Sequence, residues 1–407
     1  MKIWYLSAYD QPNGHSSRTF WYASELSKRG HQVTMFTNSY CHFTHMEHLA
    51  SGEKWKSELI DGVRVIWLKT IAYEGNGWKR SLNMLLNAYR CLQFARQTSE
   101  EPDVVIGPSV PILTGWAASR IAKLKEAAFV FEVRDIWPQA LVDLGAISAK
   151  SFAYYMLRVI EKNLYKRAVL ISAVLPLTYK HVEKSGGNPN KVTWIPNGVN
   201  LSMFDGVEEY KGGFQECLTA MYIGGFSITH DVNTILKAAN ILQNNKKYNY
   251  QFVIVGGGKN REQCETFAQA LGLCNIKFID TVPKKEIPAL QAKADILIAS
   301  VKDTPVYQFG INSNKLYDYL GSARPILFSG NAPDDPVTLS QAGFSIPPEN
   351  PEAMADALMK FYEMTPSQRI EIGKLGRIYA EENFDLVNLV DRMENLLGQA
   401  IKLIRKI

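Results

Sequence analysis

Short apolar runs alternate with longer amphipathic stretches along this chain, a pattern that predicts strands and helices in turn. Ile3 to Tyr9 is the first such run, suited to a buried parallel strand, and the turn-rich 10–17 follows it. Phe20, Ala23, Leu26 and Ser27 then fall along one face of a helix from about Arg18 to Arg29, which Gly30 stops. Gln32 to Thr37 is the second strand. A strand, a loop, a helix and another strand make the unit of a doubly wound sheet, where ligands gather at the carboxyl ends of strands. The pattern continues with strands at Gly62 to Leu68, Asp103 to Ile106, Phe129 to Val133, Val169 to Val174 and Val192 to Ile195. Ile112 to Lys125 and Phe152 to Arg167 are helices between them.

Pro196-Asn197-Gly198-Val199-Asn200 is a cluster of turn formers, and 206–213 is polar and bears glycines, so a domain boundary is expected here. Beyond it the alternation restarts. Strands are expected at Thr219 to Ile223, Phe252 to Val255, Ile276 to Ile279, Ile296 to Ala299, Ile326 to Phe328 and Gly343 to Ile346. Helices are expected at Val232 to Gln243, Glu262 to Ala270, Glu352 to Tyr362 and Pro366 to Glu382. Leu386 to Ile407 reads as a long amphipathic helix after the last strand, free to pack elsewhere. The fold class is therefore α/β, with two consecutive doubly wound, Rossmann-like domains, 1–198 and 199–385, and a cleft between them.

Composition adds bounds. A length of 407 residues and an apolar share of 46% suffice for two full cores. The net charge of +5 is mild and does not by itself suggest nucleic acid. Cys41, Cys91, Cys217, Cys264 and Cys274 have neither paired nor metal-ligand spacing, which predicts reduced thiols in a cytoplasmic protein. No signal peptide is expected, because the first residues begin a strand and soon meet Asp10 and Pro12. Nor does any apolar run reach the roughly 18 residues of a membrane span.

The stretch from Phe309 to Ile326 carries the most chemistry. It reads as a turn, a short helix and a buried strand, with Ser313 as N-cap and Gly321 and Pro325 ending the helix. Asn314, Lys315 and Asp318 share a helix face. Free amides near Gly310, Ile311, Asn312, Ser313 and Asn314, with the positive dipole end and the charge of Lys315, suit a phosphate. Asp318, one turn on, can accept hydrogen bonds from a diol. Phosphate and diol about a turn apart describe a nucleotide ribose; the plainer reading is a polar first turn on a surface helix.

Other segments are less specific. In Asn13-Gly14-His15-Ser16-Ser17-Arg18, Gly14 lets backbone amides approach a ligand and Arg18 can hold a phosphate bidentately. Val255-Gly256-Gly257-Gly258-Lys259 lacks the full dinucleotide fingerprint and reads better as a tight turn. Glu132-Val133-Arg134-Asp135-Ile136-Trp137-Pro138 ends a buried strand with three charges and an indole. There Arg134 suits a phosphate and Asp135 a sugar hydroxyl or a proton in transfer, with a structural ion pair as the alternative. His42, His45 and His48 can share a helix face, but no further ligand is evident, so a polar loop is favoured over a metal site. The segment 78–96 has no acidic residue and mixes Trp, Tyr, Phe and Leu with four cations, as a helix lying in a bilayer interface does; 152–167 is a similar, diluted mix. Packing against a sheet is the competing explanation for both.

Together these segments resemble the retaining GT-B glycosyltransferases of family 4, over essentially the whole chain. Leu26-Ser27-Lys28-Arg29-Gly30-His31-Gln32-Val33-Thr34 is similar to the family's opening, and Ile195-Pro196-Asn197-Gly198-Val199-Asn200-Leu201-Ser202-Met203-Phe204 to its interdomain signature. Lys315 to Pro325 resembles the donor segment, and Arg134-Asp135-Ile136-Trp137-Pro138 a subgroup that builds bacterial surface polysaccharides such as O-antigen and capsule. The resemblance implies a nucleotide diphosphate-sugar donor, UDP by family frequency, bound mainly by the second domain. It also implies a saccharide or lipid-linked acceptor on the first, no metal or other cofactor, and a last helix crossing back to the first domain. Three departures stand out. The family's first donor-site Glu is Gly310 here, and its second is Asp318. Gly224-Gly225-Phe226-Ser227-Ile228-Thr229-His230-Asp231 lacks the customary Arg and Lys after the first strand of the second domain. No histidine accompanies Arg134.

On this reading Arg134, Asp135 and Lys315 carry the catalytic work. Lys315, with Arg18 or His230, Gly14, Gly225 and the amides of 310–314, neutralises the leaving diphosphate. Asp135 orients an acceptor held by His15, Arg134 and Trp137. The leaving phosphate itself can take the acceptor proton, so retention, implied by the resemblance, needs no enzymic nucleophile. The alternatives are a nucleotide-sugar 2-epimerase on the same fold and a non-catalytic GT-B binding protein. The expected location is the cytoplasm, with peripheral contact on the inner membrane face through 78–96.

Overall fold

β1 (Lys2–Leu6) is buried in all but its first residue. It pairs in parallel with β2 (Gln32–Asn38) on one side and β5 (Val104–Pro108) on the other. This arrangement comes from a computed structural model, which describes residues 1–12, 18–42, 44–75, 77–213 and 216–405. The chain divides into two units, Met1–Pro196 with Leu389–Ile407, and Asn197–Asn388.

In the first unit β3 (Trp55–Ile60), β4 (Val63–Leu68), β6 (Ala128–Val133), β7 (Leu170–Ala173) and β8 (Val192–Trp194) complete an eight-stranded sheet. Its order is β3-β4-β2-β1-β5-β6-β7-β8, parallel throughout except that β3 runs antiparallel to β4. The order reverses between β1 and β5, the switch point at which doubly wound sheets open a crevice. β3 was not among the expected strands. It is an edge strand without an apolar run, and its hairpin turns on Asp61 and Gly62, both at positive φ, as a two-residue type I′ turn requires.

The helix Trp78–Gln97 packs an unusual face inward. Its Asn83 and Asn87 are fully buried, and the Asn38 amide bonds to both, at 2.9 and 2.7 Å; Thr114 Oγ1 donates to Asn87 at 2.8 Å. These amides satisfy one another in the interior, where an unpaired one would cost stability. Trp78, Leu82, Leu85 and Tyr89 are consequently left exposed along the other face. The helix Phe152–Arg167 likewise exposes Phe152, Tyr155, Met156 and Val159, and both helices flank the helix Ile112–Leu124. From Leu389 onward the helix Leu386–Arg405 belongs to this unit: Leu389, Val390, Met393, Leu397 and Ala400 are buried. Arg29 donates to Asp391 and Glu394, and His31 Nε2 lies 2.8 Å from Glu394 Oε1.

The second unit holds a six-stranded, wholly parallel sheet of β9 (Leu218–Ile223), β10 (Tyr250–Val255), β11 (Ile276–Ile279), β12 (Ile296–Ser300), β13 (Ile326–Ser329) and β14 (Gly343–Ile346). The order β11-β10-β9-β12-β13-β14 reverses between β9 and β12. Strands buried on both faces read as nearly continuous apolar runs, which is why their positions were legible. The helix Val232–Gln243 packs its Ile235, Leu236, Ala239 and Leu242 onto this sheet.

Candidate active site

At the switch point of the second unit, the loop after β9 clasps the end of β12. Asp231 N–H donates to the Ser300 carbonyl at 3.2 Å and Lys302 N–H to that of Thr229 at 3.0 Å. The glycine run after β10 lies against the same loop. Gly256 and Gly258 adopt φ near +140°, and a Cβ on Gly258 would stand 2.9 Å from both the nitrogen and the oxygen of Phe226. Those glycines permit close loop packing.

Over this floor the helix Asn314–Gly321 places Lys315. Its Nζ donates to the Tyr222 phenol oxygen at 2.9 Å and lies 4.3 Å from that ring's centre. Tyr222 donates onward to the Gly225 carbonyl at 2.9 Å. No carboxylate pairs with Lys315 among the described residues, and burial lowers its ammonium to about 7. His230 Nδ1 lies 2.7 Å from the same Gly225 carbonyl, so that nitrogen carries a proton. Burial, then the charge of Lys315, lower His230 to about 4 despite that bond, leaving a neutral imidazole at pH 7. Asp318, three residues past Lys315, has no side-chain partner among the described residues, and desolvation raises its carboxyl against the weaker pull of Lys284.

The N-terminus of this helix differs from expectation in detail. Ser313 occupies the N-cap position, yet its hydroxyl makes no cap bond; the Leu316 N–H it would serve goes to Ser313's own carbonyl at 3.0 Å. The amides of Asn314 and Lys315 stay open, as first-turn amides do without a capping side chain. Asn312 and Asn314 are held from behind by Asn197, whose backbone N–H donates to Asn312 Oδ1 at 3.2 Å and whose side-chain amide donates to Asn314 Oδ1 at 2.8 Å. Ile311 is a buried apolar anchor. Gly310 has φ +113°, a conformation that side chains strongly disfavour. Thus 224–230 and 310–318 come together, and Tyr222, Asn197 and Tyr319 join them. Tyr319 ties the helix to β9, its oxygen accepting from Ile223 N–H at 2.8 Å and donating to the Ile223 carbonyl at 3.2 Å.

In the first unit the carboxyl ends of β1 and β6 carry an interior ion network. Fully buried Glu132 accepts from Tyr5 at 2.6 Å and Arg18 Nε at 3.0 Å on one oxygen, and from Arg134 Nε at 2.8 Å on the other. Burial pushes this carboxyl up, but Arg134 and Arg18 overcome it and hold it at about 2. Arg18, expected to hold a phosphate, directs its guanidinium to protein groups here. Its Nη1 and Nη2 donate to the carbonyls of Pro196 and Ile195 at 2.6 and 2.9 Å, so the guanidinium joins its helix to β6 and the chain after β8. Arg134 is similarly engaged, with Nη1 2.7 Å from Asp10 and Nη2 2.5 Å from Thr19 Oγ1, which favours the structural ion pair over a phosphate ligand. Asp135 differs: its surface reaches solvent, and surrounding protein still raises its carboxyl. Trp137, half-buried, follows two residues on, its N–H bonded to the Asp135 carbonyl at 2.9 Å. Gly14 and His15 lie outside the described residues.

Histidines 42, 45 and 48 separate rather than converge. His42 bonds to the Tyr73 hydroxyl, His45 to that of Tyr40, and His48 stacks on Trp67. Among the described residues no three His, Cys, Asp or Glu side chains gather as a metal site.

Lys315, Asp318 and the loop after β9 thus gather beside the switch point of the second sheet, and comparison with known proteins gives the family. Residues 13–198 match the glycosyl transferase 4-like domain and residues 213–377 the glycosyl transferases group 1 family. The chain belongs to the group 1 glycosyltransferases of family 4, and its fold is GT-B. It is 20% identical over 320 residues to a probable glycosyltransferase, WbjE, of Pseudomonas aeruginosa, covering 75% of this chain and 76% of that one. Sucrose-phosphate synthase from Thermosynechococcus elongatus superposes with a TM-score of 0.76 at 15% identity, over 98% of this chain and 99% of that one. Anabaena HepE in complex with UDP and glucose gives 0.68 at 16%, over 98% and 99%. WaaG, a glycosyltransferase involved in lipopolysaccharide biosynthesis, gives 0.66 at 15%, over 97% and 99%.

Proposed function

We propose that this glycosyltransferase moves a hexosyl or N-acetylhexosaminyl group from a UDP-sugar to a lipid-linked saccharide, with retention and without a metal, in bacterial surface polysaccharide synthesis. The observation that carries the donor half is Lys315. Its ammonium has no carboxylate partner among the described residues, and the residue belongs to the first turn of a helix with open amides, one turn from Asp318, which has no side-chain partner among the described residues. Such a group gains most from a ligand bringing phosphate charge, and Asp318 is spaced to take a ribose diol. As the anomeric C–O bond breaks, negative charge grows on the leaving diphosphate, and Lys315 with the open amides of Asn314 and Lys315 meets it in place, while the Gly310 amide, given to the Tyr307 carbonyl at 3.0 Å, takes no part. Neutral His230 serves as a hydrogen-bonding wall rather than a second cation. In the first unit Asp135, with its raised carboxyl, is the side chain suited to orient an acceptor hydroxyl, while the leaving phosphate takes that proton. HepE's complex with UDP and WaaG's part in lipopolysaccharide biosynthesis favour UDP and a surface glycan.

The exposed stripe Trp78, Leu82, Leu85 and Tyr89, flanked by Lys79, Arg80, Arg90 and Arg96, supports a peripheral seat on an anionic membrane face, where a lipid-linked acceptor resides. No helix among the described residues is long and apolar enough to cross a membrane. One observation favours the non-catalytic alternative: Gly310 offers no carboxylate to the transferred sugar.

A thermal-shift screen against UDP, GDP, ADP and their sugar conjugates tests the reading. A ligand at a hundred times its dissociation constant stabilises by about 2.7 kcal/mol, a visible shift. UDP and one UDP-sugar should raise the midpoint. If folded protein responds to no nucleotide, the donor site is wrong.

A further inference from the structure

Sequence alone finds no cation just after β9, where the chain reads Gly224-Gly225-Phe226. The structure brings one there from elsewhere. A Cβ built on Gly224 would lie 2.5 Å from Lys315 Nζ and 2.9 Å from its Cε, so the ammonium occupies the space a side chain at 224 would take. Gly224 does not have a positive φ, so this glycine answers to space, not backbone strain. The ammonium is also aimed. Because the Tyr222 hydroxyl spends its proton on the Gly225 carbonyl, its lone pairs face Lys315, and the phenol can only accept from it. Tyr222 is itself fully buried in β9, with its ring against Phe226 at 6.3 Å.

We propose that Tyr222 is the positioning residue of the phosphate subsite, holding the Lys315 ammonium in the space left by Gly224 so that a helix-borne lysine serves as the cation of the β9 loop. This deepens the donor reading and rests on it. The relay Lys315–Tyr222–Gly225 carbonyl–His230 links the helix, the strand and the loop, so a diphosphate seated on Lys315 is sensed by all three. Among the described titratable groups, Tyr222 of β9 and His230 of the following loop face the ammonium, Asp318 shares its helix, and Tyr319, Cys264, Tyr307 and Asp231 lie around the Tyr222 phenol. Burial lowers Lys315 to about 7, so a diphosphate that favours the ammonium draws a proton onto it.

The test is isothermal calorimetry of the full chain with UDP at pH 8, in two buffers of different ionisation heat, for wild type, Tyr222→Phe, Gly224→Ala and Lys315→Met. Wild type should bind with uptake of close to one proton. Tyr222→Phe and Gly224→Ala should each weaken UDP about ten-fold, the scale of one hydrogen bond to a charged group, and alter the uptake; Lys315→Met should abolish it. Circular dichroism melts matching wild type would show that Tyr222→Phe is folded, and Gly224→Ala provides a second route that leaves the phenol intact. If wild type and both variants bind UDP alike with unchanged uptake, while Lys315→Met is weak, the role of Tyr222 is wrong and the donor site stands. If wild type itself ignores UDP, the donor reading falls first.

Discussion

Lys315 and Tyr222, 93 positions apart in the chain, meet at 2.9 Å between ammonium and phenol. This contact makes the lysine a fixed charge rather than a mobile surface one, and fixed charge is what a developing leaving group needs. Lys315→Ala should therefore lower transfer from a UDP-sugar by about 100-fold or more, in the range seen for single electrostatic donors in active sites. Near-normal turnover in a radiolabelled transfer assay would remove the phosphate assignment.

Raising pH should weaken the donor site before it touches the fold. Burial lowers Lys315 to about 7, so the ammonium is present below that pH and lost above it. UDP affinity is expected to decline between pH 7 and 9, and a Lys315→Arg variant, charged throughout, should show a flat profile. Equal slopes for the two would assign the pH dependence elsewhere.

Asp318 is expected to matter for the ribose. Its carboxyl has no side-chain partner among the described residues to lose, so Asp318→Asn should leave the melting temperature near wild type. Affinity for UDP should fall several-fold while affinity for 2′,3′-dideoxy-UDP barely changes, since a diol bond is worth about 1 kcal/mol or somewhat more. A parallel loss for both ligands would place the ribose elsewhere.

Restoring the family's missing carboxylate at 310 should fail. At φ +113° a side chain is strained by about 1–3 kcal/mol, so Gly310→Glu should unfold at lower urea and gain no transfer. Higher turnover at unchanged stability would show that this loop can remodel.

Acid should act on the first unit through Glu132. Its folded carboxyl is held at about 2, below the ordinary value, so it stabilises the fold above that ordinary value and stops doing so as pH falls toward 2. Glu132→Gln should cost about 3–5 kcal/mol at pH 7, because Arg18 and Arg134 lose their shared counter-charge, and the penalty should shrink on acidification. A constant difference across pH would mean the network carries little of the stability.

For the exposed stripe, Trp78→Ser with Leu85→Ser should leave melting unchanged and reduce sedimentation with anionic vesicles. Both side chains face solvent, so nothing in the core depends on them. Wild-type indifference to anionic vesicles at low salt would end the membrane proposal.

Much of the architecture was readable because parallel strands such as Phe252 to Val255 are apolar throughout and helix ends are punctuated by Gly30 and Pro325. β3 escaped because an exposed edge strand needs no apolar run, although Asp61-Gly62 carried a hairpin signal. In the candidate site, local spacing put Lys315 beside Asp318. It could not give Tyr222 or Asn197, whose roles come from packing between distant segments. Nor could it show the partners of Arg18 and Arg134, since a guanidinium at a strand end reads alike whether it faces a ligand or a buried glutamate such as Glu132. Only the partners decide.

The chain leaves the first unit at Pro196 and rejoins it at Leu389. During synthesis, then, the first unit waits through nearly two hundred residues without the helix that seals Leu389, Met393 and Leu397 into it. Until that helix arrives its socket is an open, greasy surface, while the intervening unit emerges whole and can fold as it is made. The nascent first unit should thus be the part of the molecule that calls on chaperones, and a chain stalled before Leu389 should aggregate through it.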